Sequence, residues 1–180
     1  ERELPLDIYL PKSDDPVPVV MWVHGGAWRG GGTGNAGPAR VLVDHGYAVV
    51  DVEYRLSGEA IFPAQIQDCK AAIRWIRANA MKYNVDADRI GAWGSSAGGH
   101  LVALLGTSGD IAEFETESNA DFSSRVQAVC DWFGPTDLLQ MNKQAIPFST
   151  LDHNAPDSPE SQLVGGPIQQ EPYRSLAKKA

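Results

Sequence analysis

The chain has 180 residues, with 15 Lys and Arg against 23 Asp and Glu, for a formal net charge of −8. Hydrophobic residues make up 43% and charged residues 21%, which excludes a coiled coil, a disulfide-stapled mini-protein and a long disordered chain. That length suits one domain able to bury roughly two-thirds of its unfolded surface, and the acidic balance argues against nucleic acid, which needs a basic face.

Leu4 to Leu10 alternates apolar and polar residues and predicts an edge strand, where the missing N–H of Pro5 is tolerated. Val17 to Val23 is a β-branched run suited to a buried parallel strand. It leads into His24-Gly25-Gly26-Ala27-Trp28 and a glycine-rich loop, Gly30 to Gly37. Pro38 to His45 predicts a helix stopped by Gly46. Tyr47 to Tyr54 predicts a second buried strand. After the loop Ile61 to Pro63, Ala64 to Tyr83 predicts one long helix, because Ile66, Cys69, Ala72, Ile73, Ile76 and Ala80 recur at helical spacing. Asp86 to Arg89 reads as a turn and Ile90 to Trp93 as a short strand. A tight turn at 94–99 precedes a helix over His100 to Thr107, and Arg125 to Phe133 is the last predicted strand. Residues 134–180 read as a variable region of loops and short helices.

Strands that alternate with helices call for a three-layer α/β/α arrangement on a mostly parallel sheet. Sites in such sheets form at the carboxyl ends of the strands. The turns after Val23, Trp93 and Phe133 should therefore gather at one edge.

The strongest chemical signal is Gly94-Ser95-Ser96-Ala97-Gly98. It matches G-x-S-x-G between a predicted strand and a predicted helix, the context of a nucleophile elbow. Ser96 is the expected nucleophile, and small neighbours give the strained turn its room. An ordinary glycine turn is the alternative. His24-Gly25-Gly26-Ala27 predicts an oxyanion loop, with donors from the Gly26, Ala27 and Ala97 backbones. His24 itself is expected to position the loop.

Four pieces occur in order: 24–31 (HGGAWRGG), 54–57 (YRLS), 62–65 (FPAQ) and 94–100 (GSSAGGH). Together with 131–138 (DWFGPTDL) and 158–161 (SPES), they resemble α/β-hydrolases of the esterase/lipase type. These are the hormone-sensitive-lipase-like carboxylesterases, with the nearest likeness to bacterial feruloyl and acetyl-xylan esterases. Ala27 departs from the third glycine of many relatives, but keeps a backbone donor. The resemblance implies an incomplete single domain over 1–180, because relatives carry the triad acid and histidine in a later, C-terminal part. His24, His45, His100 and His153 match no triad-histidine motif. Asp131 or Asp137 could replace a missing acid, against a plainer reading as loop caps. Asp68 is expected on a helix surface or in a structural ion pair.

The resemblance implies a serine carboxylesterase for short-chain acyl or aryl esters, including acyl or feruloyl groups on plant polysaccharide. The alternatives are an amide or peptide hydrolase and a non-catalytic scaffold that keeps the core. Trp28 and Trp132 are expected either as aromatic walls for an acyl or phenolic group or as core residues; Trp22, Trp75 and Trp93 are expected in the core. No metal or cofactor is implied, and Cys69 and Cys130 are expected as buried free thiols, a bridge between them being the minor reading. No apolar run approaches the ~20 residues of a membrane span. The chain starts at Glu1, read as a processed, trimmed or partial start, so cytoplasmic and secreted locations both stay open. A sheet ending at the late strand would leave an edge uncovered and favour a homo-oligomer.

Overall fold

The computed structural model describes residues 3–180, so the reading of Glu1 as a trimmed start lies outside the described residues. Among the described residues five strands form one sheet: β1 (Leu6–Tyr9), β2 (Val17–Val23), β3 (Ala48–Val52), β4 (Val85–Ser95) and β5 (Ala128–Trp132). Their spatial order is β1-β3-β2-β4-β5. β1 pairs antiparallel with β3, and every other pairing is parallel. β3 lies between two strands and is buried along its whole length, as its apolar run requires.

The alternation of side chains sends Val17, Val19, Met21 and Val23 of β2, with Ala48, Val50 and Val52 of β3, into the larger core. That face is covered by α1 (Ala64–Ala78) and α3 (Ala97–Thr107), and by Leu138, Leu163, Val164 and Ile168 from the C-terminal segment. Trp22 and Val49 point the other way, under Ala39 of a helix over Gly37–His45. The three-layer arrangement expected from the element order is therefore present.

Several local expectations change. The helix over Gly37–His45 is a 3₁₀ helix, entered through Ala36 at φ 55°. The long helix breaks at Asn79, separating α1 from the single turn α2 (Ala80–Tyr83). Asn79 Nδ2 donates to the Trp75 carbonyl at 2.9 Å, so the side chain competes with helix continuation. Asp86 to Arg89 lies inside β4. The pairing jumps from Val17 opposite Val85 to Val19 opposite Ile90, so these residues bulge from the strand. Asp86 closes the bulge by accepting from the Asp88 N–H at 2.9 Å and from Arg89 Nε at 2.6 Å.

Cys69 is a buried free thiol, and burial raises its pKa. Cys130 is free but exposed, contrary to expectation, because β5 is an edge strand whose five residues are all exposed. Among the described residues no helix is long and apolar enough to cross a membrane.

Candidate active site

The elbow follows directly from local sequence. β4 ends at Ser95, α3 starts at Ala97, and Ser96 sits between them at φ 54°, ψ −120°. A non-glycine residue holds such a backbone only when its surroundings over-determine it. Here they do. The Ser96 N–H donates to the Trp132 carbonyl at 2.9 Å, and its carbonyl accepts from the His100 N–H at 3.0 Å. A Cβ on Gly94 would overlap the Gly98 carbonyl, and a Cβ on Gly98 would overlap the Val23 carbonyl. Both glycines are therefore required by contact. Ser96 remains partly exposed at the N-terminus of α3, where the first N–H groups lack helical acceptors.

The loop after β2 packs against this turn. A Cβ on Gly25 would lie 2.9 Å from the Ser95 carbonyl oxygen and 3.3 Å from Ser96 Cβ. Gly26, Ala27 and Trp28 follow at φ 120°, 53° and 56°. This left-handed run lets the Gly26 carbonyl accept from the Arg29 and Gly30 N–H groups at 3.0 and 3.1 Å. Ala27 thus occupies a conformation that favours glycine, at a cost of about 1 kcal/mol, while keeping its N–H. The structure brings the backbones carrying Gly26, Ala27, Ala97 and Ser96 to one corner of the sheet.

Trp132 belongs to the same corner through its carbonyl bond to Ser96. Its ring is 40% exposed and lies edge-on to Trp93, with centroids 4.8 Å apart. Trp28 does not belong there as a wall. It is 2% exposed, and its indole N–H donates to His100 Nδ1 at 3.3 Å, so the loop's twist drives the ring into the core. Trp22 is buried on the opposite face of the sheet, under the 3₁₀ helix, whereas Trp75 and Trp93 are partly buried and packed against the two cores.

The histidines have other duties. His24 is buried, stacks on Tyr54 with centroids 4.4 Å apart, and engages the Gly25 carbonyl through Nδ1 at 2.7 Å. His45 is exposed at the end of the 3₁₀ helix. Burial pushes the pKa of His100 down to about 4, and its bond from Trp28 uses Nδ1 as an acceptor. His153 Nδ1 contacts Glu160 Oε1 at 2.9 Å, on the short helix α4 (Pro159–Val164). Among the described residues no hydrogen bond joins an imidazole to Ser96. Asp131 accepts from the Gly134 N–H at 2.9 Å, and Asp137 accepts from the Leu139 N–H at 3.2 Å, both as turn caps. Asp68 pairs with Arg55, with Nη2 2.8 Å from Oδ1. The described residues hold no cluster of three or more potential metal ligands.

Two supports had no assigned role in the sequence. The Tyr54 hydroxyl donates to the His24 carbonyl at 3.0 Å, and the Ser57 N–H donates to the Trp28 carbonyl at 2.8 Å. Residues 54–57 therefore hold the loop after β2 in place. Their only sequence signal was the YRLS motif itself.

Comparison with known proteins places these features in context. The BD-FAE family model matches residues 6–180. Esterase LipC of Mycobacterium tuberculosis is 35% identical over 136 residues, which is 73% of this chain and 34% of that protein. A bifunctional GH43-CE protein of Bacteroides eggerthii is similar over 96% of this chain and 26% of its own, with a TM-score of 0.83 and 40% identity. A truncated form of a carbohydrate esterase from gut microbiota is similar over 96% of this chain and 64% of its own, with a TM-score of 0.82 and 35% identity. The chain thus spans less than two thirds of each of these relatives.

Proposed function

Because the chain belongs to the BD-FAE family and has the α/β-hydrolase fold, we propose that it carries the nucleophile and oxyanion hole of a serine carboxylesterase. The substrates are short-chain acyl or aryl esters, including acyl or feruloyl groups on plant polysaccharide. The carbohydrate esterase among its structural neighbours supports that choice.

Ser96 Oγ attacks the ester carbonyl. The Gly26, Ala27 and Ala97 N–H groups hold the oxyanion of the tetrahedral intermediate. Its collapse expels the alcohol, which takes up the serine proton from the base, and leaves an acyl-enzyme that water hydrolyses to the free acid and Ser96. Trp132 offers an aromatic face beside the acyl or phenolic group. The imidazole that takes the Ser96 proton is read as none of the four described above, since among the described residues no histidine is hydrogen-bonded to Ser96 and three of them engage other partners. The 180-residue chain alone then turns over esters slowly, because loss of the base costs several orders of magnitude.

The observation that carries this reading is the left-handed Ser96 with the Gly25 backbone against its Cβ. Prolonged exposure to a fluorophosphonate, read by intact mass, should place one adduct on Ser96, and Ser96→Ala should abolish it. A folded wild-type chain that stays unmodified would count against the reading and favour a non-catalytic scaffold. In the catalytically complete protein, an aryl acetate should be cleaved faster than an aminoacyl anilide; the reverse preference would favour an amide hydrolase.

A further inference from the structure

The glycine-rich stretch that follows the oxyanion loop is held at both ends. At its near end the Gly26 carbonyl gathers the Arg29 and Gly30 N–H groups. Gly31, at φ 109°, lies so close to His24 that a Cβ there would overlap the imidazole. At its far end the chain closes on one carboxylate. Asp51 lies on β3 in register with Trp22 of β2 and is 1% exposed. Its Oδ2 accepts from the Gly34 N–H at 2.9 Å and from the Ala36 N–H at 2.8 Å.

A buried carboxylate is costly unless hydrogen-bonded, so its presence under a loop calls for a reason. Residues 30–37 (GGGTGNAG) contain five glycines, which lose the most conformational entropy on ordering. Gly34, Ala36 and Gly37 all have positive φ, and this curvature turns two N–H groups toward the same oxygen. A charged acceptor strengthens both bonds. The carboxylate therefore gives an intrinsically loose segment a single fixed end, a few residues from the expected oxyanion donors.

We infer that Asp51 is a positioning residue for the oxyanion loop: by clamping Gly34 and Ala36 it holds the Gly26 and Ala27 N–H groups against Ser96. This inference rests on the proposed role of those donors. Asp51 touches no reacting atom and acts through the loop.

The test compares Asp51→Ala and Asp51→Asn with wild type in the 180-residue chain. Asparagine keeps an oxygen that can accept both N–H bonds. Amide hydrogen exchange should rise in Asp51→Ala across residues 26–36, not merely at Gly34 and Ala36, while β4 stays protected. The second-order rate of fluorophosphonate labelling at Ser96 should fall about tenfold or more, as expected for misaligned oxyanion donors. Asp51→Asn should restore both readouts to within about threefold of wild type. Should Asp51→Ala fail to fold, Asp51→Ser replaces it, because its hydroxyl is too short to reach both amides. Exchange confined to residues 34–37 with an unchanged labelling rate would overturn the inference. So would an Asp51→Asn variant as impaired as the alanine. If the wild type itself takes no label, the esterase reading fails, and the exchange pattern still decides whether Asp51 holds the loop.

Discussion

Ser96 and His100 lie one helical turn apart, and their surroundings impose opposite chemistry. Ser96 is partly exposed and held at positive φ by contacts from β5 and α3. His100 is buried, receives the Trp28 indole N–H, and is held neutral by the cost of burying its charge. The sign of its linkage follows. Its folded pKa of about 4 lies below the ordinary 6.5, so between these values the unfolded state binds more protons. Its contribution is present in full above pH 6.5 and is lost as pH falls toward 4, on the order of 3 kcal/mol in total. Denaturant unfolding at pH 7, 5.5 and 4 should show this loss in wild type. His100→Gln, which retains an acceptor for Trp28, should show a shallower decline across the same range. Parallel slopes would remove His100 from the acid response.

At the scale of elements, α1 is tied to the loop after α3 by charge as well as by packing. Lys70 Nζ donates to Glu115 Oε1 and to the Ser108 carbonyl, both at 2.7 Å, and Arg74 binds the other oxygen of Glu115. The cations are the deeply placed partners. The Lys70 and Arg74 side chains are 0% and 2% exposed, against 33% for Glu115. Burial raises the pKa of Glu115, but hydrogen bonds from Lys70 and Ser124 outweigh it and hold the carboxyl below its ordinary value. Removing the carboxylate strands two buried cations, whereas removing one cation leaves a carboxylate that water and Arg74 still reach. Glu115→Ala should therefore cost about 3–5 kcal/mol, and Lys70→Met clearly less, in urea unfolding at pH 7. Equal losses would show that the ion pairs contribute symmetrically. Helix α1 itself was legible from its apolar spacing. Its charged face was not, because the same Lys and Arg pattern suits a solvated surface until the loop over 108–125 covers it.

For the whole molecule, the open side of the sheet sets the behaviour. Among the described residues no strand pairs with the outer edge of β5, and Val129, Trp132 and Phe133 there are 39%, 40% and 76% exposed. Unpaired strand N–H and C=O groups next to apolar side chains favour pairing with a second strand. Sedimentation velocity in reducing buffer should show concentration-dependent self-association of the 180-residue chain. Cys130→Lys, which puts a charge on the exposed edge, should shift it toward monomer. A wild-type chain that stays monomeric across the concentration range would refute this role for the edge.

The sequence by itself determined the strand–helix alternation, the elbow at Ser96 and the glycine loop after β2. These features depend on backbone freedom and periodicity within a few residues, so local chemistry is enough to encode them. It also pointed to the corner where the motifs meet, because parallel strands place their carboxyl ends together. Only the tertiary structure decided which side chains serve that corner. Trp28 turned inward to His100 across 72 positions, Tyr54 reached the His24 carbonyl across 30, and Asp51 caught the loop at Gly34 and Ala36 across 17 and 15. Those partners become neighbours through strand order and register, which bring distant residues together without leaving any periodic trace along the chain.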